Sequence, residues 1–200
     1  MYRAFGKRLF DVLASLVLLA VLGPVLLLVA AVIRLKLGSP VLFRQTRPGL
    51  KGRPFTILKF RTMIDPLPGQ DAFATDAIRT PPLGRFLRRS SLDEFPELLN
   101  VLKGEMSLVG PRPLKLEYLD RYTPEQARRH DAVPGITGWA QVNGRNSVTW
   151  EKKFELDVWY VDHLSLALDL RILWLTVFKV LKPEGIVAET AFMGSKEKKG

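Results

Sequence analysis

Apolar residues run from Val12 to Ile33, a stretch of 22 positions in which Ser15 is the one clearly polar member. That length suits a helix buried in a bilayer. Gly23 and Pro24 fall at its midpoint, where the proline must free the carbonyl of Ala20 and kink the helix. Arg3, Lys7 and Arg8 precede the stretch, and Arg34, Lys36, Arg44 and Arg47 follow it, so both flanks carry the basic mark of a cytoplasmic side. One straight crossing cannot satisfy both. Two half-helices of about eleven residues, each rising roughly 16 Å, would dip into one leaflet and return. The expectation is therefore a re-entrant helix-break-helix, broken at Gly23-Pro24, with Ser15 or neighbouring protein satisfying the carbonyls bared at the kink. A cleaved signal peptide fits poorly, because its apolar core is shorter and Ala30-Ala31 is followed by more apolar sequence.

Beyond the anchor the pattern changes period. Val41 to Gln45 and Phe55 to Arg61 read as two strands of a hairpin around the turn residues Arg47 to Gly52. Lys59 and Arg61 would share one face, in the plainer reading a solvated basic one. Asp65 to Pro82 lacks periodicity and reads as a long surface loop, and Leu83 to Arg89 as a short basic helix. Leu98, Leu99, Val101 and Leu102 are spaced for a helix stopped at Lys103-Gly104. A helical stretch runs through Tyr118 to Tyr122, and Thr123-Pro124-Glu125-Gln126 is a capping box that opens another short helix. Trp150 to His163 predicts an amphipathic helix with Phe154, Val158 and Val161 facing inward. Leu166 to Leu181 predicts a helix at the membrane interface with Trp174 at headgroup level, a buried core helix being the alternative. The fold expected is α+β and mainly helical: a re-entrant anchor, a small β-hairpin, and interfacial amphipathic helices around a compact catalytic domain. Its parts are the anchor at 1–37, the catalytic domain at 38–185 and a polar tail at 186–200.

The net charge of +10 over 200 residues asks for an anionic partner, whether nucleic acid, an anionic membrane surface or a phosphorylated substrate. Cysteine is absent and histidine occurs twice, which excludes a disulfide framework, a thiolate zinc site and a histidine-built metal centre. A metal would be held by carboxylates, phosphates and water, hence magnesium, with manganese as the alternative.

The candidate chemistry centres on Asp93 and Glu94, set in the basic run Arg88 to Pro96. Ser91-x-x-Glu94 also matches a capping box, although a helix capped at Ser91 would put Pro96 where its ring breaks the turn. Capping and chemistry both remain open for the pair on these grounds. Arg112 lies between Pro111 and Pro113, which would present its guanidinium from a stiff loop suited to phosphate recognition; a rigid turn with an exposed arginine is the plainer reading. From Pro134 to Arg145 the glycines and an Asn-Gly turn would let backbone amides approach a ligand. No Walker or dinucleotide spacing is present.

Taken in order, the membrane hairpin, Lys59-Phe60-Arg61-Thr62-Met63, Ser91-Leu92-Asp93-Glu94, Gly110-Pro111-Arg112-Pro113 and Pro134-Gly135-Ile136-Thr137-Gly138 through Asn143-Gly144-Arg145 resemble the bacterial sugar transferase family, the small monotopic phosphoglycosyl transferases. The resemblance covers the chain from about Arg3 to about Leu181. It implies transfer of a sugar-1-phosphate from a UDP-sugar to polyprenyl (undecaprenyl) phosphate with release of UMP. This would be the first membrane step of bacterial glycoconjugate synthesis, at the cytoplasmic face of the inner membrane. The family's catalytic Asp-Glu dyad maps onto Asp93 and Glu94, and its Pro-Arg-Pro loop onto Pro111, Arg112 and Pro113. Its helix break, often Ser-Pro, is Gly23-Pro24 here.

Under that resemblance Asp93 would attack phosphorus to form a covalent phosphosugar intermediate, and Glu94 would hold magnesium. Arg112, with Lys59, Arg88, Gln141 and Arg145, would bind phosphate or nucleotide. The partners expected are the UDP-sugar, polyprenyl phosphate and the phospholipid bilayer, without nucleic acid, and a homo-oligomer is allowed for. A tethered basic binding module is the rival reading. It would cluster its cations in one stripe with aromatic platforms, whereas these stand in separate turn-rich segments.

Overall fold

Lys7–Lys36 form a single helix, α1, in the computed structural model, which describes residues 2–65, 76–144 and 148–181. A π-helical turn, Tyr2–Gly6, leads into it. The helix runs through Gly23 and the exposed Pro24 with no non-helical residue between two halves. The expected half-helices are thus joined, since a proline removes one amide from the ladder and the turns on either side can still propagate. Ser15 does not serve the kink: it is fully buried, and its hydroxyl bonds nothing among the described residues. A Cβ at Gly23 would meet nothing within 4 Å, so that glycine answers no close packing.

Both ends of α1 are held by the same folded body. Near its start Lys7 pairs with Asp169, Arg8 donates to the carbonyls of Val101 and Leu102, and Asp11 Oδ1 accepts from the Leu108 amide at 3.1 Å. Near its end Ile33 is fully buried in a cluster with Phe60 and Leu87. Between these ends Val17, Val21, Leu27 and Leu28 stay more than 60% exposed. A helix whose most apolar 18-residue window has a mean hydropathy of 3.1 therefore shows its middle to the surroundings while its ends are gripped.

The predicted hairpin is present. Strands β1 (Leu42–Pro48) and β2 (Pro54–Phe60) pair antiparallel from Leu42 opposite Phe60 to Pro48 opposite Pro54. Phe55 and Ile57 alternate inward, as a half-buried strand requires. The expected solvated basic face is not there. Lys59 has a side chain 20% exposed, and Arg61, just past the strand, is tied to the carbonyls of Ser39 and Met63.

The loop expected at Asp65 to Pro82 contains a helical turn, α2 (Asp76–Arg79), while residues 66–75 lie outside the described residues. Next come α3 (Pro82–Arg89) and α4 (Glu97–Lys103), the latter closed by Gly104 at φ 85° as the Lys-Gly stop predicts. A second sheet that the periodicity did not announce pairs β3 (Ser107–Val109) with β4 (Gly135–Thr137) in parallel. Between them the helical stretch near Tyr118 is a 3-10 helix, Leu116–Arg121, and the capping box at Thr123 and Gln126 opens α5 (Pro124–Ala127) as predicted. After β4 come α6 (Trp139–Val142), α7 (Trp150–His163) and α8 (Leu166–Leu181). Phe154, Val158 and Val161 face inward on α7. On α8, Leu168, Asp169 and Ile172 are buried while Leu170, Trp174, Val177 and Phe178 are exposed, so the helix packs on the domain by one face and shows an apolar one outward. The main core lies between β2, α4, β3, α7 and α8, with Leu98, Val101, Val109 and Tyr160 among its members.

Backbone crowding explains the glycines better than ligand approach does. A Cβ at Gly110 would lie 2.3 Å from the Val133 carbonyl oxygen, one at Gly135 2.0 Å from the Gly110 nitrogen, and one at Gly138 2.2 Å from the Gly110 oxygen. These residues let one chain segment touch another.

Candidate active site

The acid pair sits on a turn of its own between two helices. Arg88 and Arg89 close α3, Ser91 takes φ 56°, Leu92–Glu94 form one 3-10 turn, and α4 begins only at Glu97. Ser91 makes no side-chain cap bond, so the capping box does not form. Pro96 precedes the first residue of α4, where its missing amide costs the helix nothing.

Asn100 on α4 brings the hairpin to this turn. The Leu58 amide donates to Asn100 Oδ1 at 3.0 Å, and Asn100 Nδ2 donates to the Thr56 carbonyl at 2.7 Å. Lys59, next along β2, then reaches the acids, and its Nζ lies 2.6 Å from Glu94 Oε1. Arg112 reaches the same oxygen at 2.7 Å from the other side.

The neighbouring carboxylates are thus unlike. Glu94 is clamped: burial opposes its charge, but the charges and hydrogen bonds of Arg112 and Lys59 outweigh this and hold its carboxyl well below the usual carboxylate range. Asp93 is buried, and among the described residues it accepts no hydrogen bond and makes no ion-pair contact. Burial first, and the Glu94 charge second, push its carboxyl up to about 6, with Lys59, Arg112 and Arg88 pulling the other way. A desolvated carboxylate lacking a partner is costly to keep, and it is also a stronger nucleophile than a solvated one.

Arg112 is fixed from behind. Pro111 and Pro113 are buried, and Arg129 Nη2 donates to the Arg112 carbonyl at 2.7 Å. Arg129 is itself 2% exposed and bound to Asp157 at 2.7 and 3.0 Å. Sequence reasoning passed over Arg129 and Asp157 because they are 28 positions apart with no local motif. It also missed Glu97, whose Oε1 lies 3.2 Å from Lys59 Nζ. Glu97 could have been suspected, since it is an acid only three positions after Glu94. His130 is half-buried and unused by the site, with its imidazole lowered to about 4 by desolvation and by the charge of Arg129.

A cavity of about 1540 Å³ contains Asp93, Glu94, Lys59, Arg88 and Arg112 among its lining residues. Arg88 donates to Thr62 Oγ1 at 3.0 Å. The same cavity is walled by Val17, Leu18 and Leu22 of α1 and by Val177 and Val180 of α8. Gln141 also lines it, and both atoms of its side-chain amide are buried and unbonded among the described residues. Gly23 and Pro24 are not part of the lining. Arg145 lies outside the described residues.

No group of three or more acidic or histidine side chains among the described residues is placed to hold a metal by itself. Glu94 nevertheless fits a magnesium ion, because only its Oε1 takes the Lys59 and Arg112 contacts and its Oε2 accepts none. Magnesium commonly uses one or two carboxylates and fills its shell with substrate phosphates and water.

Residues 2–183 match a family profile described as bacterial sugar transferase. The uncharacterized sugar transferase EpsL of Bacillus subtilis (strain 168) is 59% identical over 180 residues, which cover 90% of this chain and 89% of that protein. A UDP-glucose:undecaprenyl-phosphate glucose-1-phosphate transferase of Caulobacter vibrioides is 45% identical over 88% of this chain and 69% of its own length. The protein of that name from Escherichia coli (strain K12) is 40% identical over 86% of this chain, but the match spans only 39% of the relative's length.

Proposed function

This chain belongs to the bacterial sugar transferase family, and from that premise we propose that it transfers a sugar-1-phosphate from a UDP-sugar to polyprenyl phosphate, releasing UMP. The names of the Caulobacter and Escherichia relatives support this general reaction. The observation that carries the reading is the division of labour between adjacent acids, Asp93 buried without a partner and Glu94 clamped by two cations.

The chemistry runs in two displacements. An Asp93 carboxylate oxygen attacks the β-phosphorus of the donor, the one bearing the sugar; the bond from that phosphorus to the bridging oxygen breaks, and UMP leaves with the bond electrons. Asp93 then carries the phosphosugar as an acyl phosphate. A phosphate oxygen of the polyprenyl acceptor attacks the same phosphorus, the Asp93 carboxylate leaves, and a polyprenyl diphosphate sugar is formed. Lys59 and Arg112 stabilise negative charge on the non-bridging oxygens, with Arg88 at the cavity wall. Glu94 Oε2 would hold magnesium, which when bound neutralises diphosphate charge. Its two cations keep Glu94 from repelling the incoming phosphate at full strength. Gln141 lines the same cavity as a nucleotide contact.

The anchor is read as re-entrant, bent at Pro24 rather than broken there, and the protein as residing on the cytoplasmic face of the inner membrane. A helix of 30 residues is about 45 Å long, against a hydrocarbon core of about 30 Å. With both ends fastened to one domain, its exposed apolar middle enters the bilayer without carrying either end across. The cavity then opens to a soluble nucleotide and a lipid phosphate together.

Incubating the protein with labelled UDP-sugar and magnesium, in the absence of polyprenyl phosphate, should release UMP and leave the phosphosugar on Asp93. If the complete reaction proceeds while neither product forms in the half-reaction, Asp93 acts instead as a base in a direct transfer.

A further inference from the structure

Lys59 has two carboxylates within reach. Its Nζ lies 2.6 Å from Glu94 Oε1 and 3.2 Å from Glu97 Oε1. The first contact is a hydrogen bond, whereas Glu97 Oε1 accepts no hydrogen bond among the described residues. Glu97 is 1% exposed and does not line the cavity, so it cannot meet the substrate. A buried carboxylate with a partly made contact is a poor stabilising device, because its desolvation is not fully offset. It is well placed as a second holder for a cation that must change partners. When a diphosphate enters, its oxygens compete with Glu94 for the Lys59 ammonium, and a lysine on a flexible four-carbon stem would be free to swing away.

We propose that Glu97 is a positioning residue that keeps the Lys59 ammonium at the dyad while Lys59 turns from Glu94 to the phosphoryl oxygens of the donor. The proposal rests on the reading of Lys59 as a phosphate ligand. The placement follows from the turn itself. Glu94 ends the 3-10 turn and Glu97 starts α4, so both carboxylates approach the end of β2 from one side. Arg112, the other cation on Glu94, is kept in place by its flanking prolines and by the Arg129 bond to its carbonyl.

The test is a cycle of variants, Glu97→Gln, Lys59→Met and the pair together, assayed by UMP release with donor and acceptor both varied. Glu97→Gln preserves shape and removes the charge, and a thermal melt of each variant checks folding. The expected result is a fall in kcat of about tenfold for Glu97→Gln, with KM for the donor changed by less than about threefold, and no further fall when it is added to Lys59→Met. Glu97→Asp, which withdraws the carboxylate by one methylene, should fall between wild type and Glu97→Gln. An equal loss from Glu97→Gln in both backgrounds, or a lowered melting temperature with kcat intact, would overturn the positioning role while leaving the reaction assignment standing. Full activity in Lys59→Met would overturn the role of Lys59 at the donor phosphates as well.

Discussion

Lys7 Nζ and Asp169 Oδ2 meet at 2.7 Å across 162 positions of sequence, joining the first helix to the last described one. Both are nearly excluded from solvent, and the hydroxyls of Tyr2 and Tyr160 also donate to Asp169, at 2.6 and 2.7 Å. Lys7→Met should therefore leave a buried carboxylate short of its countercharge. The expected cost is roughly 3–5 kcal/mol, seen as a melting temperature lower by on the order of 10 °C in detergent or nanodiscs. A change of under a degree would show the pair to be dispensable.

Asp93→Asn should abolish transfer and yet stabilise the protein above neutrality. The native carboxyl titrates at about 6, against about 3.9 in an unfolded chain. Between those values the folded state holds the proton more tightly, so stability falls as pH rises and the full penalty stands above about pH 6. Removing the charge should then raise stability by on the order of 2 kcal/mol at pH 8 and leave it unchanged at pH 3. Melting curves of the metal-free protein at both pH values provide the comparison.

The same titration sets an acid limit on activity. As pH falls through about 6, Asp93 takes up a proton and can no longer attack, so the rate of UMP release in the acceptor-free half-reaction should drop tenfold per pH unit below it. A rate that stays flat down to pH 4.5 would argue against Asp93 as the attacking group.

Arg112→Ala should lower kcat by about 100- to 1,000-fold with little change in melting temperature, since its side chain is 41% exposed. Arg112→Lys should recover only part of that loss, because an ammonium cannot reproduce the planar fork of the guanidinium. Steady-state kinetics with saturating donor separate the two. Complete rescue by lysine would reduce Arg112 to a point charge.

Arg129→Met should act on both stability and rate, unlike Arg112→Ala. It strands Asp157 in the interior and removes the donor to the Arg112 carbonyl, at an expected cost of about 3–5 kcal/mol. A variant that also replaces Asp157 with leucine should regain much of the stability but not the kcat. Melting temperature and turnover, measured on both variants, should separate accordingly.

What could be read along the chain was whatever is written locally. The hairpin, α7 with its inward Phe154 and Val158, the capping box at Thr123 and the stop at Gly104 follow from neighbours within a few positions. The dyad and the Arg112 loop could be singled out because acids beside a proline and an arginine between prolines are unusual in themselves. Glu97, Arg129, Asp157 and Asp169 were passed over. Their roles come from partners brought close only by folding: Arg129 finds Asp157, and Asp169 finds Lys7. The β3–β4 pair escaped for the same reason, each strand having three residues and no room for a period. Pro24 shows the converse, a strong local signal that α1 absorbs without breaking.

Where Gly110, Gly135 and Gly138 pass, backbone meets backbone with no space for a methyl group. A survey of every substitution in this chain would accordingly rank these glycines with Asp93 as intolerant positions, although their hydrogens face other strands of the protein rather than any substrate. Activity alone would not tell the two kinds apart; the amount of folded protein would, falling at the glycines and holding at the aspartate.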